Sequence, residues 1–228
     1  MRLFWLLPLF ALLLSCARPA SNTVVVATAS SFRPALETLA ALLEPTCDVT
    51  LRISSGSTGA LVAQITQGAP FDLLISADPV LSQSLLGLHE EVELGAVFAI
   101  APMALWQRDT ANPNAPIAIA NPDIAPFGRA AMQVLRAKHG DDLPKLVRGA
   151  SAAQAFSFVH LNVAKAGYVP LSLLLAADIA DGEYEVVAPS LYTAIDLQAV
   201  ILTMNPAHIC IAEQLANADL SRFGYGAP

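Results

Sequence analysis

The chain has 228 residues, of which 55% are apolar and 14% charged, and its 12 basic and 19 acidic side chains give a formal net charge of -7. This composition excludes a disordered chain and a highly charged coiled coil. The acidic balance also excludes a sequence-blind nucleic-acid binder, because phosphate contacts need a basic face. The length allows one large domain or two smaller lobes, and any anionic ligand would have to be held by local donors.

The first fifteen residues have the pattern of an export signal. Arg2 is followed by an apolar run that ends at Leu14, which is too short to cross a bilayer as a permanent helix. The run leads through Ser15 into Cys16, and this junction resembles the lipobox of bacterial lipoproteins. We therefore predict a signal peptide over residues 1–15, lipidation of Cys16 and a tether over residues 16–21. The alternative is an ordinary signal peptide followed by a chance cysteine.

Two cysteines remain if Cys16 is lipidated, and they are Cys47 and Cys210. Outside the cytoplasm such a pair is a candidate for a disulfide, whereas two small buried thiols are the alternative. Both readings stay open at this point. The sequence has no CxxC pair and no His/Cys cluster at metal-ligand spacing, so we expect no metal site built from side chains.

From residue 22 onward, short β-rich runs alternate with helical patterns, which is typical of βαβ units around a mainly parallel sheet. Ser31 is the expected N-cap of the first helix, Pro34 suits its first turn, and Asp78 opens the third helix. The patterns predict strands over residues 24–29, 49–53 and 72–77, with helices from about residue 34, from 61 to 68 and from 78 to about 87.

The second part of the chain repeats this alternation. Gly140 is expected to end one helix, and Asn205 with Pro206 to begin a terminal helix of about fourteen residues. A further helix is expected to run through Phe156 to Lys165. The patterns predict strands over residues 97–107, 116–120, 146–147, 167–171, 184–188 and 199–203.

Two stretches can cross between lobes, near residues 97–101 and 187–190. The first lobe would then combine residues 22–98 with 189–228, and the second would hold residues 99–188. Two βα lobes joined by two crossing strands make a hinge with a cleft, which is the usual place for a small ligand.

Four predicted strand-to-helix junctions are rich in hydroxyls, small residues or glycine. In a parallel sheet these junctions lie at the carboxyl ends of the strands, where ligands bind. The helix N-termini there present unpaired N–H groups and can hold an anion without Lys or Arg. Each hydroxyl alone reads better as a helix cap, but four junctions together favour a shared ligand. The junctions lie at residues 30–31, 55–58, 125–128 and 150–152.

Nearly the whole chain after the signal resembles, in one collinear order, the molybdate/tungstate-binding proteins of ABC importers. That order is more specific than any short motif in it. The segments that carry the resemblance are ATASSF at 27–32, ISSGSTG at 53–59, QI at 64–65, GAPFD at 68–72, SAD at 76–78, FAI at 98–100, LW at 105–106, AIANPDIAPFG at 118–128 and AGYV at 166–169.

The resemblance implies a two-lobed periplasmic-binding-protein fold of type II, in the α/β class, that closes on one tetrahedral oxyanion. By position, Ser30, Ser31 and Thr58 would supply hydroxyl and backbone donors, while Phe127 and Ala152 would supply backbone N–H groups. Ser57 is a neighbouring candidate, because the alignment there is secure to about one residue. The implied protein is a monomeric binding protein rather than an enzyme, needs no cofactor, and serves a permease and an ATPase from the periplasm or the outer cell surface.

Three positions depart from the family pattern. Phe127 stands where relatives often have Tyr or Ala, which removes any phenolic contact but keeps the N–H group. Pro170 stands where some members place a Tyr that touches the anion, and proline has no N–H. Ser31 replaces Asn or a hydrophobic residue. These changes leave selectivity between molybdate and tungstate open.

Two alternatives remain. The same fold could bind sulfate or another small anion, because size discrimination depends on how far the lobes close. A secreted serine hydrolase is the other, but Gly56-Ser57-Thr58-Gly59 is not a G-x-S-x-G elbow and no histidine has an evident serine partner. We expect Asp72 and Asp78 to be turn or cap residues.

Overall fold

The computed structural model describes residues 22–88, 90–108, 112 and 114–228. The predicted signal peptide and the tether with Cys16 lie outside these described residues. Within the described part, the chain folds into ten strands, which form two five-stranded sheets, and seven α-helices.

The first sheet has the strand order β2-β1-β3-β10-β4 and the second has the order β7-β6-β8-β5-β9. The strands of the first sheet are β1 (Thr23–Ala29), β2 (Thr50–Gly56), β3 (Leu73–Ser76), β4 (Glu93–Ile100) and β10 (Asp196–Ile201). Those of the second sheet are β5 (Met103–Gln107), β6 (Ile117–Ala120), β7 (Leu146–Gly149), β8 (Ala166–Pro170) and β9 (Tyr184–Val186).

In each sheet four of the five strands run in one direction. In the first sheet β1 pairs parallel with β2 and β3, and β10 lies antiparallel between β3 and β4. In the second sheet β6 pairs parallel with β7 and β8, and β5 lies antiparallel between β8 and β9. The predicted α/β class with mainly parallel sheets is confirmed.

The helices follow the strands as the sequence predicts, with five differences. The third helix ends at Ser82 rather than near residue 87, and a short 3-10 turn over Gln83–Leu85 follows it. Phe32, not Ser31, is the N-cap of the first helix, so the N-cap prediction for Ser31 is wrong. The fifth helix ends at His160 rather than Lys165, the last one has 11 residues rather than about fourteen, and α6 was not predicted. The helices are α1 (Arg33–Cys47), α2 (Thr58–Thr66), α3 (Pro79–Ser82), α4 (Pro126–His139), α5 (Ala152–His160), α6 (Leu171–Ala176) and α7 (Pro206–Ala216).

The strand predicted over residues 97–107 is two strands in two different sheets. Strand β4 ends at Ile100 and β5 begins at Met103, and Pro102 between them has no N–H to continue a ladder. The return connection leaves β9 and enters β10, and it lies beside the first crossing because Ala101 N–H donates to the Ile195 carbonyl at 2.8 Å. The lobe boundaries at residues 98/99 and 188/189 stay a prediction.

The core lies between the sheets and their helices. The largest buried cluster joins β1 and β3 with the apolar face of α1 and with α4. Helix α4 lies close to the end of β6, because a Cβ at Gly128 would stand 2.3 Å from the carbonyl oxygen of Ala120. Trp106 is fully buried in a separate cluster and stacks on Phe156, with 5.0 Å between ring centroids.

Two further properties concern the described residues as a whole. None of their helices combines the length and the apolar character that a bilayer-crossing helix needs. Among the same residues, no group of three or more His, Cys, Asp or Glu is placed to hold a metal ion.

Cys47 and Cys210 form a disulfide, with their Cα atoms 5.8 Å apart. Of the two alternatives left open by the sequence, the structure therefore has the bridge. It joins the last residue of α1 to the middle of α7, across a sequence separation of 163 residues. A bridge over so long a separation restricts the unfolded chain strongly.

Replacing both cysteines, Cys47→Ala with Cys210→Ala, is expected to lower the free energy of unfolding by about 2–5 kcal/mol. Urea unfolding of the oxidised protein and of the double variant measures the difference. A reductant should bring the original protein close to the variant and leave the variant unchanged. Two free thiols in the native, unreduced protein would contradict the bridge.

Candidate functional site

Four strand-to-helix junctions meet around one small cavity between the two sheets. The space inside it that is open to the centre of a water-sized sphere is only about 10 Å³, which is about the minimum that holds one water molecule and far below the roughly 300–1,000 Å³ common for pockets that take drug-sized ligands. All five predicted site residues and the neighbouring Ser57 line it, so the structure brings them together; their role in binding stays a prediction. The lining residues are Ala29, Ser30, Ser31, Ser57, Thr58, Ala77, Ala125, Pro126, Phe127 and Ala152.

The first junction, between β1 and α1, contributes two serines. Ser30 N–H donates to the Gly56 carbonyl at 2.8 Å, which holds this turn against the end of β2. Ser30 Oγ accepts from Ala153 N–H at 3.3 Å, so the hydroxyl proton of Ser30 stays free to donate. Ser31 Oγ is buried and has no hydrogen-bond partner among the described residues. Because Phe32 occupies the N-cap position, the Ser31 hydroxyl is not used to cap α1.

The second junction, between β2 and α2, adds two more hydroxyls. Ser57 is the N-cap of α2, yet its side chain makes no capping bond, and its Oγ is buried without a partner in the described part of the chain. Thr58 is fully buried, and its Oγ accepts from Ala77 N–H at 3.1 Å. That bond fixes the oxygen and leaves the hydroxyl proton of Thr58 for another acceptor.

The third and fourth junctions belong to the second sheet and present backbone groups. Phe127 follows Pro126 in the first turn of α4, and Ala152 is the first residue of α5. N–H groups in a first turn have no acceptor within their own helix. Ser151 caps α5 by accepting from Gln154 N–H at 3.2 Å, so at this junction the hydroxyl is a cap and Ala152 is the residue that lines the shared cavity.

The cavity holds no charged side chain among its lining residues. Its positive potential comes instead from the N-terminal ends of α2, α4 and α5, where unpaired N–H groups favour negative charge. Asp78 caps α3 by accepting from Leu81 N–H, and it also pairs with Arg129 of α4. Asp72 accepts from Val25 N–H at 2.7 Å. Both acids therefore have structural partners outside the cavity.

The cavity has two walls, one formed by the junctions of the first sheet and the other by the junctions of the second sheet, and direct bonds join them. Gly59 N–H donates to the Ile124 carbonyl at 2.9 Å, and a Cβ at Gly59 would stand 2.8 Å from the same oxygen. The Ser30–Ala153 bond and the Asp78–Arg129 ion pair also connect elements of the two sheets. Together these contacts hold the walls close enough for both sets of donors to reach one small ligand.

Two residues that contact Ser31 could not be linked to the site from the sequence. Ser172 Oγ and Tyr225 Oη both donate to the carbonyl oxygen of Ser31, at 3.0 Å and 2.8 Å. They lie 141 and 194 residues from Ser31 along the chain, so no local pattern connects them to it. Pro170, one of the three positions expected to depart from the family pattern, is not among the lining residues.

Comparison with known proteins gives a family and a fold. The family model of the bacterial extracellular solute-binding proteins matches residues 24–218. The chain is 35% identical to the molybdate-binding protein ModA of Azotobacter vinelandii, over 94% of this chain and 93% of that protein. It is 32% identical to the molybdate-binding protein ModA of Rhodobacter capsulatus, over 84% of this chain and 81% of that one.

Solved structures agree with this result. The periplasmic molybdate-binding protein of Azotobacter vinelandii matches with a TM-score of 0.79 and 29% identity, over 90% of this chain and 99% of the other. The sulfate-binding protein SubI of Mycobacterium tuberculosis matches with a TM-score of 0.68, over 91% of this chain and 86% of the other, but at 13% identity it supports the fold alone.

These relatives decide three of the sequence-based expectations. The resemblance to periplasmic substrate-binding proteins of importers is confirmed, and so is the two-lobed binding-protein fold. The relatives are binding proteins and not enzymes, so the serine hydrolase is rejected and the prediction of a non-enzyme is confirmed.

Proposed function

The chain belongs to the bacterial extracellular solute-binding protein family, and we propose that it captures molybdate, with tungstate as a second ligand of the same shape, for an ABC importer. The observation that carries the proposal is the cavity itself, in which hydroxyl and N–H donors from both sheets surround a space without charged side chains. The names of the two relatives that match most of the chain point to the same ligand.

The donor set suits a fully deprotonated oxyanion. Such a dianion has only acceptor atoms, and hydrogen bonds to a charged acceptor are stronger than neutral ones. Hydrogen phosphate carries a proton that needs an acceptor, and among the lining residues no carboxylate or imidazole is present to receive it. A carboxylate in the cavity would also repel the dianion.

We assign the contacts residue by residue. Ser30, Ser31 and Thr58 would donate through their hydroxyls, and Ser31 and Thr58 also through their N–H groups. Phe127 and Ala152 would donate through N–H groups at the starts of α4 and α5. In this assignment the first sheet supplies the hydroxyls and the second sheet supplies backbone donors, so the anion is fully coordinated only when both walls are together.

The partners follow from the proposed role. A binding protein of an importer delivers its ligand to a permease that works with an ATPase, and we expect this chain to act as a monomer on the outer side of the membrane. Sulfate is the second candidate ligand, because it is also a tetrahedral dianion without a proton, and the same donors could bind it.

Alanine substitutions of the hydroxyl donors test the site. Ser30→Ala and Thr58→Ala each remove a hydrogen bond to a charged group, which is worth about 1.5–3 kcal/mol, so we expect the affinity for molybdate to fall roughly ten- to a hundredfold. Titration calorimetry measures the affinity. The matched control is Thr38→Ala, because Thr38 lies exposed on α1 and its hydroxyl donates to the Pro34 carbonyl. Unchanged affinity in both site variants would mean that the site is elsewhere.

A panel of anions tests the ligand. Calorimetric titrations with molybdate, tungstate, sulfate and phosphate should give tight binding of the two metal oxyanions, weaker binding of sulfate, and none of phosphate at neutral pH. The acceptor-only character of the first three anions separates them from phosphate, and the molybdate-binding relatives support placing the metal oxyanions ahead of sulfate. Tight sulfate binding without a response to molybdate would transfer the assignment to sulfate.

We also propose that Cys16 carries the lipid that anchors the protein to a membrane, on the strength of the lipobox-like sequence that precedes it. Intact-mass measurement of protein from the membrane fraction should give a mature chain that begins at Cys16 with added acyl groups. The variant Cys16→Ser has no thiol to acylate, so its intact mass should lack the acyl groups in whichever fraction it is found. A mature chain with an unmodified Cys16 would contradict the anchor.

A further inference from the structure

The carbonyl oxygen of Ser31 is held by two hydroxyl groups from distant parts of the chain. Tyr225 Oη donates at 2.8 Å and Ser172 Oγ at 3.0 Å. Both donors are buried, with exposed fractions of 5% and 6%. Burial raises the pKa of the Tyr225 hydroxyl above its ordinary value by more than contact with Ser172 lowers it, so Tyr225 keeps its proton and remains a donor at neutral pH.

Ser31 depends on such contacts more than the other proposed donors do. Thr58, Phe127 and Ala152 each lie in the first turn of a helix, and their N–H groups point along a rigid helix axis. Ser31 lies in the short turn between β1 and α1, outside both elements. Its hydroxyl is buried and has no partner within the described chain, so nothing in its own turn fixes where that hydroxyl points.

The two hydroxyls reach Ser31 from two different parts of the fold. Ser172 belongs to α6, which directly follows β8 of the second sheet. Tyr225 belongs to the C-terminal segment, where Gly226 and Ile100 exchange two backbone hydrogen bonds at the end of β4, each 2.9 Å long. The Tyr225 ring also packs edge-on against Phe32, with 5.4 Å between centroids.

The C-terminal segment also contacts the second wall directly. A Cβ at Gly224 would stand 2.8 Å from Leu175 Cδ1 of α6. The segment around Tyr225 therefore lies between the crossing from β4 to β5, the Ser31 turn and helix α6. The Ser31 carbonyl is the point where these three parts share one acceptor.

We propose that Tyr225 and Ser172 are positioning residues, which hold Ser31 in the orientation that lets its N–H and hydroxyl reach a bound oxyanion and thereby slow release of the anion. This inference rests on the function proposed above. Tyr225 holds the carbonyl from the C-terminal segment, which is tied to the end of β4 by the two bonds between Gly226 and Ile100. Ser172 adds its bond when α6 and the Ser31 turn meet, so the donor is locked as the anion is enclosed.

The test compares Tyr225→Phe and Ser172→Ala in the full mature protein, with molybdate as the probe. Tyr225→Phe keeps the ring against Phe32 and removes only the hydroxyl. Each variant loses about one neutral hydrogen bond, so the dissociation rate should rise about fivefold while the association rate stays within about twofold. In the double variant the dissociation rate should rise by less than the product of the two single increases, because both donors share one acceptor.

The matched control is Tyr184→Phe, whose hydroxyl donates to Asp181 Oδ1 in an exposed region, and its dissociation rate should not change. A merely structural role would lower the free energy of unfolding but leave the dissociation rate unchanged at temperatures where each variant is fully folded. Wild-type dissociation rates in both Tyr225→Phe and Ser172→Ala would overturn the inference.

A second measurement separates this inference from the proposed function. If the unaltered protein gave no heat with molybdate, the proposed ligand would be wrong, and the positioning role would be decided by hydrogen exchange of the Ser31 N–H in the protein without ligand. Exchange should be faster in Tyr225→Phe than in Tyr184→Phe. Equal exchange in the two variants would reject the positioning role, whatever the ligand is.

Discussion

A buried hydrogen-bond donor without an acceptor is costly, and this protein gathers several such donors in one place. Most buried polar groups in proteins find partners within the fold, yet the hydroxyls of Ser31 and Ser57 do not among the described residues. Helix starts at Thr58, Phe127 and Ala152 add N–H groups of the same kind. The fold must therefore place these donors around one common space and keep protein acceptors away from them. The two sheets do this by bringing the ends of their strands together at the cavity.

Neutral donors also explain how an acidic protein can hold a dianion. A lysine or arginine in the cavity would attract any anion, whereas a fixed set of dipoles discriminates by geometry and by the absence of a proton on the ligand. The ion pair between Asp78 and Arg129 fits this logic, because it keeps the guanidinium of α4 engaged outside the cavity. Selectivity then depends on how accurately each dipole is aimed, which is why the surroundings of Ser31 matter.

Most strands and helices, and the five residues assigned to the cavity, could be predicted from the sequence, because both depend on local signals. The alternation of apolar residues in a strand, the helix end at Gly140 and the helix start at Asn205 are each recognised from a few neighbouring residues.

The errors arose where contacts between distant parts of the chain decide the structure. Pro102 divides a continuous apolar run between two sheets, and the apolar stretch of α6 is too short for a helical period to be recognised. Phe32 replaces Ser31 as N-cap because the turn is held by the neighbouring strand β2. The contacts of Ser172 and Tyr225 with Ser31 join positions more than 140 residues apart, which a single sequence does not connect, whereas the Cys47–Cys210 pair was available as a candidate by counting cysteines and only its alternative, two free thiols, had to be excluded.

The position of β10 has a consequence for the order in which the chain can fold. This strand lies between β3 and β4, but it is synthesised after every strand of the other sheet. Strands β5 to β9 form one uninterrupted stretch of chain, and β2, β1 and β3 can pair among themselves, whereas β4 has no neighbour in its sheet until β10 is present. Because non-local pairing is slow, the first sheet is completed only when the C-terminal part of the chain joins it, and the bridge from Cys47 cannot form before α7 is in place.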